Sequence, residues 1–134
     1  MKKFKFIILL AILIFVLSGI CFAGESISYK FKPSFNYIVG FDLPNFGWAE
    51  KNPQNEIIGF SGFNLGFGYS EKNYFQPYEF HKFNTFWGWG TVALIIPYFT
   101  IGGDYPIPLN DYSAINISAG FVLLSPYVSL SFCW

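Results

Sequence analysis

His81 is the only histidine in the 134-residue chain, and it stands two positions after Glu79. In an extended segment Glu-x-His puts both side chains on one face, where they could offer two metal ligands or an acid and a base. Two ligands do not close a metal site. With no second histidine to complete it, the pair reads as solvated loop charge, and neither a metal nor a cofactor is expected. Past Lys82 the only charged residues are Asp104 and Asp111. Asp104 shares a strand face with Tyr98, Thr100 and Gly102, so a closed sheet would turn it inward. A carboxylate buried there needs a cationic partner, and Lys30 or Lys32, also on a polar face, could supply one. A catalytic use of Asp104 would need a base beside it, for which His81 is the one candidate.

Other matches to chemical motifs fail on their context. Gly88, Gly90 and Ala93 fit G-x-G-x-x-A, but the dinucleotide fingerprint opens a helix, and here β-branched residues and Pro97 follow. Ser61 in "GFSGF" misses the G-x-S-x-G elbow by one position. Asn116-Ile117-Ser118 forms a glycosylation sequon inside an expected strand and is set aside. Cys133 faces the polar side of its segment and reads as an inert small residue, with an intermolecular disulfide as the sharper alternative.

The elements that would carry these residues are strands. Lys2, Lys3 and Lys5, the apolar run Phe6–Leu17 and the small-residue stretch ending at Ala23 read as a cleavable export signal, with an uncleaved anchor over Phe6–Ala23 as the alternative, so residues 1–23 are expected to form a signal-peptide helix and 24–134 a single domain. The expected mature part holds all eight acids against five lysines and no arginine, a net charge of −3. The absence of a basic stripe argues against nucleic acid. Cys133 alone remains there, so no internal disulfide framework is expected.

Period-2 alternation runs through this part without an amphipathic helix. It predicts strands at Phe35–Leu43, Ile57–Tyr69, Phe86–Ile95, Tyr98–Tyr105, Ile115–Leu123 and Tyr127–Trp134, with two weaker ones at Ile27–Lys32 and Tyr74–Phe80. Loops are expected at Pro44–Asn55 and Glu71–Phe83. Gly90–Tyr105 and Ala119–Trp134 resemble each other at an offset of 29 residues, aligning Leu94 with Leu123, Pro97 with Pro126 and Tyr98 with Tyr127. That similarity suggests a repeated strand–turn–strand unit.

Alternation fits either a soluble β-sandwich or a membrane barrel. Two features favour the barrel. The non-apolar faces carry Gly, Ser, Asn and Ala instead of Lys and Glu, as at Gly66, Gly68, Asn116, Ser118 and Gly120, and small residues suit a narrow barrel interior. The aromatic load, 27 Phe, Tyr and Trp after residue 23, exceeds what a core of this size would bury. Tyr69, Trp87, Trp89, Tyr98, Tyr105 and Tyr127 fall near expected strand ends, as an interfacial girdle would require.

The signal segment, the charge-poor alternating strands and a last strand with Val128, Leu130, Phe132 and Trp134 resemble the small bacterial outer-membrane β-barrels of the OmpA/OmpX type. The resemblance implies an all-β fold, a small antiparallel meander barrel of six to eight strands. It also implies that Val128, Leu130, Phe132 and Trp134 face lipid and are read by the barrel-assembly machinery, and that the protein resides in the cell outer membrane. Lys30, Lys32 and Asp104 are the candidate lumen charges. The expected role is non-enzymatic, an envelope structural or surface-interaction protein with membrane lipid as partner and a homo-oligomer allowed. The alternatives are a secreted or periplasmic β-sandwich that binds or self-assembles, and a lipid-modifying barrel enzyme.

Overall fold

A computed structural model describes residues 32–134. Residues 1–23, Lys30 and all but the last residue of the weak strand expected at Ile27–Lys32 lie outside the described residues. The described chain is all-β. Eight strands follow one another as β1 Tyr37–Gly40, β2 Phe46–Lys51, β3 Ile57–Asn64, β4 Gly68–Tyr74, β5 Asn84–Val92, β6 Ile96–Asn110, β7 Ser113–Val122 and β8 Ser125–Cys133. Each pairs antiparallel with the next, and β1 pairs with β8, which closes the barrel. The closing register is Ile38 with Cys133, Val39 with Phe132 and Gly40 with Ser131. Trp134 extends it, exchanging backbone hydrogen bonds with Tyr37.

Paired residues define one ladder around the wall: Trp134, Tyr37, Trp48, Ser61, Glu71, Trp89, Phe99 and Leu123. One circuit therefore starts at the end of β8 and returns at the turn that precedes it. Such a stagger means strongly tilted strands, the condition for closing eight strands into a narrow tube.

Small residues make this tube possible. A Cβ on Gly90 would lie 2.4 Å from the Tyr98 hydroxyl, and one on Gly62 would lie 2.4 Å from the Gly47 Cα. Both glycines point inward, and each leaves the space its neighbour uses.

The strand boundaries differ from the sequence expectation in five places. Ile57–Tyr69 is two strands, because Leu65–Phe67 forms a tight turn with Phe67 at φ 52°. Asn64 and Gly66 are residues that turns commonly use, but the alternation of Phe63, Leu65, Phe67 and Tyr69 runs straight through the turn and masks it. The loop expected at Pro44–Asn55 contains β2, and the loop expected at Glu71–Phe83 begins with the second half of β4, so charge misled the assignment in both. Tyr74–Phe80 is not a strand; only Tyr74 is, as the last residue of β4. β6 is 15 residues long, nearly twice the expected Tyr98–Tyr105. The repeat at offset 29 corresponds to the hairpins β5–β6 and β7–β8, with Leu94 and Leu123 both at positive φ in their turns.

Turns β1–β2, β3–β4, β5–β6 and β7–β8 lie at one end of the barrel. The connections 52–56, 75–83 and 111–112 lie at the other, with Trp134. Phe35, Ile38, Phe60, Tyr74, Tyr78 and Phe86 form a buried apolar cluster within the barrel. Tyr78 enters it from the 75–83 connection, its ring edge-on to Phe60 at 6.1 Å.

Candidate functional site

Lys72 is the centre of the barrel interior. In β4 it shares the inward face with Gly68, Ser70 and Tyr74, while Tyr69, Glu71 and Asn73 are only partly covered. Its side chain is 1% exposed. The ammonium donates to Asp42 Oδ2 and to both oxygens of Asp104, at 3.2 and 3.0 Å. It also lies 4.2 Å from the centroid of the Phe86 ring, within range of a cation–π interaction. Asp42 comes from the β1–β2 turn and Asp104 from the middle of β6, so the cluster ties three separate parts of the wall together.

Two carboxylates on one ammonium leave an excess negative charge, and neutral donors surround it. Ser118 Oγ donates to Asp42 at 2.6 Å, the Leu43 amide donates to its other oxygen at 2.8 Å, and the Tyr74 hydroxyl donates to Asp104. Asn116 donates to Ser118 at 3.2 Å and accepts from the Tyr78 hydroxyl at 2.8 Å. A buried ion cluster is tolerable only when its lone pairs and protons are satisfied in this way.

Nearer the apolar turns a second network forms. Asn64 Nδ2 donates to Ser70 Oγ and to the Thr91 carbonyl, both at 2.9 Å, and to the Tyr98 hydroxyl at 3.2 Å, while Ser70 and Tyr98 also bond each other. Along β8 the buried hydroxyls of Tyr127, Ser129 and Ser131 have no hydrogen-bond partner among the described residues. A cavity of about 270 Å³ opens at this end, lined mainly by Leu43, Val92, Ile96, Val122 and Leu123, with Asn64 and Tyr98 at its polar side.

The outer wall has the opposite character. Among the described residues twenty-nine large hydrophobic side chains are exposed, against ten buried hydrophobics. The apolar set expected on the last strand, Val128, Leu130, Phe132 and Trp134, lies on this wall, and the Phe132 and Trp134 rings stack at 5.7 Å. Trp87 is exposed there, and Tyr69, Trp89 and Tyr105 are half-buried. Trp89 Nε1 donates to Glu71 at 2.7 Å and the Tyr69 hydroxyl donates to the same carboxylate at 3.1 Å.

Tyr98 and Tyr127 do not belong to that girdle. Both share the parity of lumen residues, Tyr98 with Thr100 and Asp104, Tyr127 with Ser129 and Ser131, and both point inward. Asp104 is in the lumen, fully buried, but its cation is Lys72. Lys32 is exposed at the opposite end from the apolar turns and pairs with Glu56 at 2.7 Å. Together with Asn52 it holds the Glu56 carboxyl below its ordinary pKa. His81 is exposed in the 75–83 connection and Glu79 pairs with Lys82 at 2.5 Å, while Asp104 is sealed within the wall. Cys133 is a buried free thiol beside the apolar cluster. Among the described residues no group of three or more His, Cys, Asp or Glu side chains could hold a metal ion.

Lys72, Asp42, Tyr74 and Tyr78 were not singled out from the sequence, and Asn116 and Ser118 were placed on the inward face without a partner. The available signal was parity: Lys72 continues the Gly68–Ser70 face, and Asp42 continues the polar face of Phe35–Leu43. Assigning Lys72 to a loop hid the first, and the wide spacing of the partners hid the pairing.

Comparison with protein-family models, with curated proteins and with solved structures returns no match for this chain.

Proposed function

We propose that this chain is a small integral β-barrel of the outer membrane, non-enzymatic, with an envelope structural or surface-interaction role. The observation that carries the reading is the inversion of the barrel: ions and hydroxyls are packed inside, and most large apolar side chains face out. In water that arrangement would expose a patch far beyond what a soluble monomer carries. In lipid the same wall needs no cover, and closure leaves no unpaired sheet edge.

Packed side chains at the level of Lys72 make the lumen a support for the wall rather than a route for large solutes. The polar end, with Lys32, Glu56, Glu79, His81 and Lys82, is the surface available to partners in water. It includes parts of both loops expected from the sequence, Pro44–Asn55 and Glu71–Phe83, at the connections 52–56 and 75–83. The Val128–Trp134 face would serve as the assembly signal by its resemblance to outer-membrane barrels.

Cell fractionation tests this. The reading predicts recovery in detergent-solubilised outer membrane, with faster migration in cold SDS than after boiling. Recovery as a soluble periplasmic or secreted species would contradict it.

A further inference from the structure

The two ends of the barrel are built from different chemistry. At the end opposite Trp134, the four turns 41–45, 65–67, 93–95 and 123–124 contain a single charged residue, Asp42, and its carboxylate is turned inward to Lys72. What these turns present outward is Phe41, Phe67, Ile95 and Leu124, between 80% and 95% exposed.

Backbone geometry sharpens the contrast. Phe67, Ala93, Leu94 and Leu123 all occupy positive φ, between 51° and 61°, where Gly or Asn would be comfortable. The polar end shows the ordinary solution, with Asn55 at positive φ and Asn52 accepting the Gln54 and Glu56 amides. The apolar turns therefore hold hydrophobic side chains against local conformational preference.

Several of their backbone amides are also paired within the protein. The Ala93 amide donates to the Gly66 carbonyl of the neighbouring turn at 2.7 Å, and the Leu123 amide to Phe99 at 2.8 Å. The Leu65 amide donates to the Asn45 side chain and the Gly68 amide to the Asn64 side chain, at 2.9 and 3.1 Å. Pairing within the protein lowers the cost of irregular backbone at membrane depth, where an unsatisfied polar group costs several kcal/mol.

We propose that this end stops within the bilayer: the barrel enters from one side, and the four turns rest in hydrocarbon instead of emerging into water on the far side. The inference rests on the membrane reading above. It commits to lipid because the turns continue the apolar outer wall without a polar break. On the β2–β5 side the first outward carboxylates are Glu71 and Glu50, held by Trp89 and Trp48. Glu71 is about 13 Å below the turns, taking ~3.3 Å per residue and ~40° of strand tilt. One leaflet of hydrocarbon is ~15 Å deep, half of a ~30 Å core. On the β6–β8 side the apolar wall runs on to Ile107, ~28 Å from Ile96 on the same arithmetic, so the proposal requires the barrel axis to lean toward that side.

The test uses single cysteines in the full chain, with Cys21 and Cys133 replaced by alanine and the protein reconstituted in phosphatidylcholine vesicles. Leu124→Cys marks the apolar end and Gln54→Cys the polar end. A charged maleimide is supplied outside alone, or on both sides by freeze–thaw. The proposal expects Gln54→Cys to react readily. Leu124→Cys should react at least ~100-fold more slowly even with reagent on both sides, since a charged reagent does not enter hydrocarbon. It should become reactive after boiling in SDS. Leu94→Cys, in the neighbouring turn, must behave the same way and substitutes if Leu124→Cys does not insert. Rapid labelling of Leu124→Cys from the side opposite Gln54→Cys would overturn this proposal and leave the membrane reading intact. A disulfide between two Leu124→Cys copies would show that a second barrel covers the turns, and would also overturn it. Failure of the protein to float with the vesicles would sink both.

Discussion

Replacing Lys72 with methionine keeps the length of the side chain and removes its charge. Asp42 and Asp104 would then share the lumen without a cation, with Ser118, Tyr74 and the Leu43 amide as their remaining donors. Removing one partner from a buried ion cluster costs ~3–5 kcal/mol, because the uncompensated charge stays behind. Lys72→Met should sit at the upper end of that range, since two carboxylates are stranded rather than one. The triple variant Lys72→Met/Asp42→Asn/Asp104→Asn strands no charge and retains the hydroxyl contacts. It should return to within ~1 kcal/mol of the parent, as neutral replacement of buried ion clusters commonly does. Asp104→Asn alone leaves a one-to-one Lys72–Asp42 pair and should cost only about 1 kcal/mol, the scale of one hydrogen bond. The assay is reversible urea unfolding in lipid vesicles, followed by tryptophan fluorescence. A Lys72→Met variant within about 1 kcal/mol of the parent, or a triple variant no better than the single, would refute the idea that charge balance in the lumen holds the wall together.

Three further outcomes are expected. Gly90→Val pushes a methyl-bearing Cβ into the Tyr98 hydroxyl and should cost ~1–3 kcal/mol by overpacking; the loss should shrink in a Tyr98→Ala background, and strict additivity in unfolding experiments would contradict the close packing. Leu130→Arg places a charge on the outer wall and should cost ~2–4 kcal/mol in vesicles if that wall meets lipid, whereas an effect below about 0.5 kcal/mol would indicate a wet surface. Glu56 is held below the ordinary carboxyl value of 4.5 by Lys32 and Asn52. A depressed carboxylate stabilises the fold above its unfolded pKa and loses that contribution as pH falls through the folded value. The difference in thermal midpoint between the parent and Glu56→Gln should therefore be present at neutral pH and fade as pH falls below 4.5; a pH-independent difference would exclude the Lys32–Glu56 pair as its source.

The barrel was legible because its strand faces obey period 2 almost everywhere. Asn116, Ser118 and Gly120 on one side of β7, and Val128, Leu130 and Phe132 on one side of β8, define inside and outside without further help. Two kinds of residue broke the reading. Aromatics were sorted by type rather than by phase, which sent Tyr98 and Tyr127 to an outer girdle although Tyr98 shares its face with the inward Asp104. Turns were sought by polar residues, and Leu65–Phe67 has none. Asn64 and Gly66 do belong to the usual turn vocabulary, but the alternation of Phe63, Leu65, Phe67 and Tyr69 continues across them, and that continuity is what hid the break between β3 and β4. The ion cluster was beyond reach for another reason. Asp42, Lys72 and Asp104 lie about thirty residues apart along the chain, and only the barrel's stagger, set by the full ladder of pairings, brings them to one level.

The chain's four tryptophans give the most direct measurement of the central claim. Trp48, Trp87, Trp89 and Trp134 all lie on the outer wall. In vesicles of phosphatidylcholine carrying brominated acyl chains, a lipid-facing wall predicts blue-shifted emission that is strongly quenched by the bromines and little affected by aqueous acrylamide. Emission that ignores the brominated lipid and is quenched by acrylamide would place the wall in water and contradict the membrane reading.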